Sequence, residues 1–113
     1  MFKIVLSPTY FAPVILHLAA ADGSPQSFEF QGLFKRLSTQ EHEELMGRAK
    51  KQNLSDTVVA SELLVGWRDV LGADDQPLTF SPEALHALLQ INGAGAAICK
   101  SYVDSVERVA RGN

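Results

Sequence analysis

The apolar residues of this chain change their spacing at Ser38, and that change limits the fold more than any other feature. Before Ser38 they recur at every second position. Phe2, Ile4 and Leu6 alternate with Lys3, Val5 and Ser7, and Val14, Leu16 and Leu18 alternate with Ile15, His17 and Ala19. This is the period of a strand with one buried face. Asp22-Gly23-Ser24-Pro25 is a turn signal, because Gly supplies a positive φ and Pro a fixed one. Phe28, Phe30 and Phe34 then stand on one side of a further strand, with Glu29, Gln31 and Lys35 on the other and Gly32 as the mark of a bulge. The pair reads as an antiparallel hairpin.

After Ser38 the spacing is that of helices. Ser38-Thr39-Gln40-Glu41 fits a capping box, in which the Ser oxygen and the Glu carboxylate satisfy free amides at a helix start. Glu41, Glu43 and Glu44 crowd the first turns and Arg48, Lys50 and Lys51 the last, which complements the helix dipole. His42, Leu45, Met46 and Ala49 share one face, and Asn53 ends the helix. Ser55-Asp56 caps a second helix carrying Val58, Val59, Leu63 and Leu64, with Gly66 as its stop. Residues 70–80 read as a loop or small hairpin around Asp74-Asp75-Gln76-Pro77. Ser81-Pro82-Glu83 opens a third helix striped by Leu85, Leu88 and Leu89. Asn92-Gly93 breaks the pattern before a last helix over 94–110. Its apolar face holds Ile98, Cys99, Tyr102, Val103, Val106, Val109 and Ala110. Lys100–Asp104, Asp104–Arg108 and Glu107–Arg111 are four-residue ion pairs on the opposite side. The expected architecture is α+β: an N-terminal antiparallel hairpin or small sheet followed by about four helices. Residues 1–113 form a single domain, with a β-rich part over 1–37 and a helical part over 38–113.

A chain of 113 residues can bury one modest core. The formal net charge of -3 is spread over both signs with no basic face, which argues against a nucleic-acid partner. The apolar stretch over 10–21 is broken by Pro13 and His17 and is too short to span a bilayer. Ala19–Ala21 imitates a signal-peptide cleavage site, but little positive charge precedes the stretch, and the strand reading is preferred. The single cysteine, Cys99, cannot close an internal disulfide, which fits a reduced cytoplasmic setting.

The sequence carries no pattern of catalytic, cofactor-binding or metal-binding residues. His17, His42 and His86 lie far apart, and none has a second His or Cys at metal-ligand spacing. Cys99 falls on an apolar helix face beside Lys100, a poor setting for a nucleophile. Asp74-Asp75 lacks the spaced acids and distant Glu of a calcium loop. Gly93 and Gly95 precede a helix without the strand, lysine and hydroxyl of a phosphate loop. Trp67 reads as a core anchor, with Phe80 as a second one. The chain is therefore expected to be a binding protein and not an enzyme.

One ordered set of residues is distinctive. Leu64-Val65-Gly66-Trp67-Arg68-Asp69-Val70 is followed by Asp74-Asp75-Gln76-Pro77-Leu78-Thr79-Phe80 and then by Ser81-Pro82-Glu83-Ala84-Leu85. With Phe34-Lys35-Arg36-Leu37-Ser38 upstream and Ala96-Ala97-Ile98 and Tyr102 downstream, this resembles the small tail assembly chaperones of long-tailed bacteriophages and prophages. The acidic turn departs from their pattern, which more often has Asp-Gly where Asp75-Gln76 stands here. The resemblance implies a role in virion morphogenesis. Such chaperones coat the tape measure protein, keep it soluble and help recruit tail tube protein. They work in the cytoplasm of the infected or lysogenic host and are absent from the mature virion. Many also exist in a longer, frameshifted form.

A long amphipathic helix such as a tape measure needs its apolar stripe covered, and a groove between helices can do this, with avidity from many copies. The expected partner-binding face joins Leu85, Leu88, Leu89, Ile98, Tyr102 and Val106 from the last two helices. The competing reading is that these residues pack on one another and on Trp67. A docking face there predicts that Leu88→Glu or Tyr102→Glu abolishes tape-measure solubilisation but leaves the domain folded; loss of the fold favours packing. The rival functions are a structural tail subunit, tube or connector, that forms homo-oligomers through sheet edges, and a small enzyme or ligand-binding domain, which needs convergent polar groups in a pocket.

Overall fold

The structure is a computed structural model that describes the backbone of residues 1–110 and the side chains through Glu107. The described residues form three strands and four helices in the order β1 (Thr9–Ala19), β2 (Pro25–Lys35), α1 (Thr39–Gln52), α2 (Asp56–Leu63), β3 (Leu64–Arg68), α3 (Pro82–Leu89) and α4 (Ala94–Ala110). The architecture is α+β, as the sequence indicates. β1 and β2 form the expected antiparallel hairpin, with Thr9 opposite Lys35 and Ala19 opposite Pro25. The turn is closed by Gly23 at φ 86, and the Asp22 carboxylate accepts from the Ser24 amide at 2.9 Å.

β3 adds to β2 and completes a sheet of order β1-β2-β3. This corrects the sequence reading in two places. Leu64 is extended and opens a strand, and Gly66 lies inside that strand opposite Leu33, so it does not stop a helix. The helical part over 38–113 thus contains one strand, joined to α2 without a loop. Gly32 also has a different role from the bulge expected there. It pairs with Ala12 and Trp67, and the register shift falls one step on, between Leu33 and Phe34. A Cβ on Gly32 would stand 2.8 Å from Leu64 Cδ1, so its task is close packing on the inner sheet face.

Residues 2–6 alternate as a strand does, yet they form none. A strand needs a neighbour for its amides, and none of the sheet's strands pairs with this segment. The chain is first tied down at Ser7 and Pro8, whose carbonyls accept from Arg36 Nε and the Arg36 amide, both at 2.8 Å.

The helix starts follow the local chemistry of their caps. Ser38 and Glu41 form the full capping box, and Ser38's hydrogen bond to Glu41 holds that carboxyl below its ordinary range. Asn53 ends α1 in the left-handed region at φ 52, and Ser55 and Ser81 cap α2 and α3. α1 and α2 are joined at the surface by Arg48, which donates to both Glu62 oxygens at 2.9 and 2.6 Å.

The core lies between the inner face of the sheet and the helices. Val14, Phe34, Leu63, Leu64 and Ile98 are fully buried. Phe34 joins the two layers, with its ring 6.1 Å from Tyr10 and 6.3 Å from Tyr102. Phe28, expected on the same face, stands exposed at the hairpin end of β2. Residues 70–80 form a small hairpin with Leu71 opposite Pro77. Trp67 pins it to the sheet: the indole donates to the Leu78 carbonyl at 2.8 Å and packs edge-on against Phe80 at 4.8 Å. The anchor roles of Trp67 and Phe80 are thus physical contacts with each other.

Candidate functional site

The six residues expected to form a partner face divide between core and surface. Leu85, Ile98 and Tyr102 are buried, Leu88 and Leu89 are half-buried against the core, and Val106 is 46% exposed. Ile98 and Tyr102 turn inward because α4 packs on β1 and α2. Ser101 donates to the Pro13 carbonyl, and Gly95 lets α4 approach so closely that a Cβ there would stand 2.9 Å from the Thr57 backbone. Tyr102 cannot be a docking residue in this fold. Its hydroxyl is hydrogen-bonded to His42 Nδ1 at 2.8 Å, and burial, with Tyr10 beside it, pushes its pKa up. Val109, Ala110, Arg108 and Arg111, with the ion pairs assigned to them, lie outside the described side chains; Lys100–Asp104 forms at 2.7 Å.

The titratable groups are dispersed. Cys99 is half-buried and its sulfur approaches the Asp56 carbonyl at 3.5 Å. Burial, reinforced by Asp56, pushes its thiol up to about 11, so it stays protonated and is a poor nucleophile. His17 is hydrogen-bonded to Ser27 across the hairpin at 3.0 Å, and His86 is exposed at the end of α3. Among the described residues no group of three His, Cys, Asp or Glu side chains is placed to hold a metal ion, and no helix is long and apolar enough to cross a membrane.

The site that sequence reasoning missed is a groove between β1 and α4, of about 360 Å³. One wall is β1, with Pro13, Ile15 and His17; the other is α4, with Ala96, Ala97 and Lys100. β1 is one of the two edge strands of the sheet. Pro13 has no amide hydrogen, and its carbonyl is taken by Ser101 of α4, so the backbone of this residue faces away from β2. By the two-residue alternation of the ladder, Ile15 and His17 face the same way and present their backbone N–H and C=O groups to the groove. Two signals in the sequence could have pointed here: a proline inside a strand, which marks an edge, and the small residues Ala94-Gly95-Ala96-Ala97, which leave space beside a helix. No protein-family model, curated protein or solved structure matches this chain.

In chemical terms the groove offers backbone hydrogen bonds and a small apolar wall. It suits extended polypeptide, which supplies complementary amides and alternate side chains. A second kind of surface is apolar and exposed: Phe11 and Ile15 on the open face of the sheet, and Val103 and Val106 one turn apart on α4.

Proposed function

We propose that this chain is a phage tail assembly chaperone, a non-enzymatic binding protein that holds the tape measure protein soluble during tail morphogenesis. It would act in the cytoplasm of the bacterial host and leave before the virion matures, with the tail tube protein as a further partner. The observation that carries the reading is the ordered run from Leu64 to Leu85. Its Gly66-Trp67, its Phe80 and its Ser81-Pro82-Glu83 are adjoining parts of one small unit, in which Trp67 packs on Phe80 and Ser81 caps the helix that follows. The residues that carry the resemblance thus fold as one small unit.

The surface for a helical partner moves from the buried faces to exposed residues. Val103 and Val106, at 43% and 46% exposure, form the start of an apolar stripe on α4 against which an amphipathic helix can pack. Co-expression with a tape measure protein tests the reading. The expected result is a soluble, co-purifying tape measure, lost when Val103→Glu and Val106→Glu are combined. A tape measure that stays insoluble beside a folded wild-type chain would overturn it. A structural tail subunit is the second reading, favoured by the free sheet edge at β1.

A further inference from the structure

We propose that the groove between β1 and α4 receives residues 2–6 of a second copy of this chain as an added β-strand. The inference stands whether or not the tail-chaperone reading is right. It rests on two surfaces that each lack a partner among the described residues. Phe2, Ile4, Val5 and Leu6 are 76%, 86%, 85% and 52% exposed, and a contiguous apolar segment left in water is an interaction site or an aggregation hazard. The segment has strand periodicity, with Phe2, Ile4 and Leu6 on one side and Lys3, Val5 and Ser7 on the other. The edge of β1 offers unpaired backbone groups at Ile15 and His17, beside the alanines of α4. An added strand satisfies those amides, sets Phe2, Ile4 and Leu6 towards Ala96 and Ala97, and leaves Lys3 to solvent.

The segment cannot fill the groove of its own molecule. Arg36 holds Ser7 and Pro8 at the start of β1. From Ser7 to Ile15 is eight strand residues, about 26 Å, whereas residues 1–6 reach about 20 Å when extended. The direct path along the edge is also closed at Pro13, whose carbonyl is bonded to Ser101 of α4. The occupant must come from another copy. Exchange in both directions closes a symmetric dimer, and exchange in one direction extends a chain of molecules.

Sedimentation of the purified chain over a range of concentrations tests this. Wild type is expected to self-associate. Removal of residues 1–6 is expected to weaken association about tenfold or more, and so is Ala96→Glu, which blocks the groove at an exposed position. The two variants mixed are expected to pair with each other, since one keeps a free groove and the other a free segment. A wild type that stays monomeric, or a truncated chain that associates as wild type does, would overturn the proposal. In a Cys99→Ser background, an Ile4→Cys copy is expected to form a disulfide with an Ala96→Cys copy, and failure to do so counts equally against it.

Discussion

Cys99 shows how one environment fixes both reactivity and pH response. Its thiol is pushed up from the ordinary 9.0 to about 11 by burial first and by Asp56 second. At pH 8 the thiolate fraction is then about 100-fold below that of an unfolded chain, each pH unit being a factor of ten. Alkylation of the native protein is expected to be slow, with a rate that rises towards pH 11 instead of levelling near 9; levelling near 9 would show an exposed thiol. The folded pKa is the higher one, so the stabilising contribution is whole below pH 9 and is lost as pH rises through about 11. Chemical denaturation over that window should therefore show an alkaline loss of stability that Cys99→Ala reduces. Two glycines make a second residue-scale contrast. A Cβ on Gly95 would meet the Thr57 backbone, which cannot step aside, so Gly95→Ala is expected to destabilise by about 1–3 kcal/mol. Gly47 lies within α1 with nothing within 4 Å of such a Cβ, so Gly47→Ala is expected to stabilise by about 0.5–1 kcal/mol. Urea unfolding of both variants checks the opposite signs.

Helices α1, α2 and α3 each begin at a serine whose hydroxyl accepts a backbone N–H three residues on. Ser81→Ala is expected to lower stability by about 1 kcal/mol, read as a shifted denaturation midpoint with an unchanged slope, because Pro82 and Glu83 still favour the helix start. These starts were legible in the sequence because a cap is a local device: donor and acceptor lie within one turn. The strands were legible only in part, for the opposite reason. The β1–β2 hairpin carries its own turn and so declares its pairing. β3 is five residues with a glycine at its centre, and only the distant β2 makes it a strand. Residues 2–6 have the strand period, but none of the described strands pairs with them. The candidate site followed the same logic. Its residues come from β1 and α4, far apart in sequence, and the choice between core and surface for Ile98, Tyr102 and Val106 depends on how α4 is rotated against the sheet. A stripe broad enough to supply both faces does not announce which part is buried.

At the scale of the molecule, sheet and helices share one core, and Phe34 is the side chain through which they meet. It is fully buried, lies between Tyr10 of β1 and Tyr102 of α4, and packs beside the Gly32 position where the inner face is tightest. Tyr102 continues the connection to α1 through His42, stacked on it at 5.8 Å. Neither layer therefore keeps a dry face if the other detaches. Phe34→Ala opens a cavity that rigid neighbours on both sides cannot refill, and a loss of about 3–5 kcal/mol is expected, a large part of the about 5–15 kcal/mol that holds a typical domain. Two probes separate the layers. Trp67, the only tryptophan, stands on β3 and reports the sheet by fluorescence, while far-UV circular dichroism is dominated by the helices. In wild type the two transitions are expected to coincide, and in Phe34→Ala both are expected to move together to lower denaturant. If fluorescence moved alone, the β-rich and helical parts would be separable units, and the contacts of Phe34 with Tyr102 would not couple them.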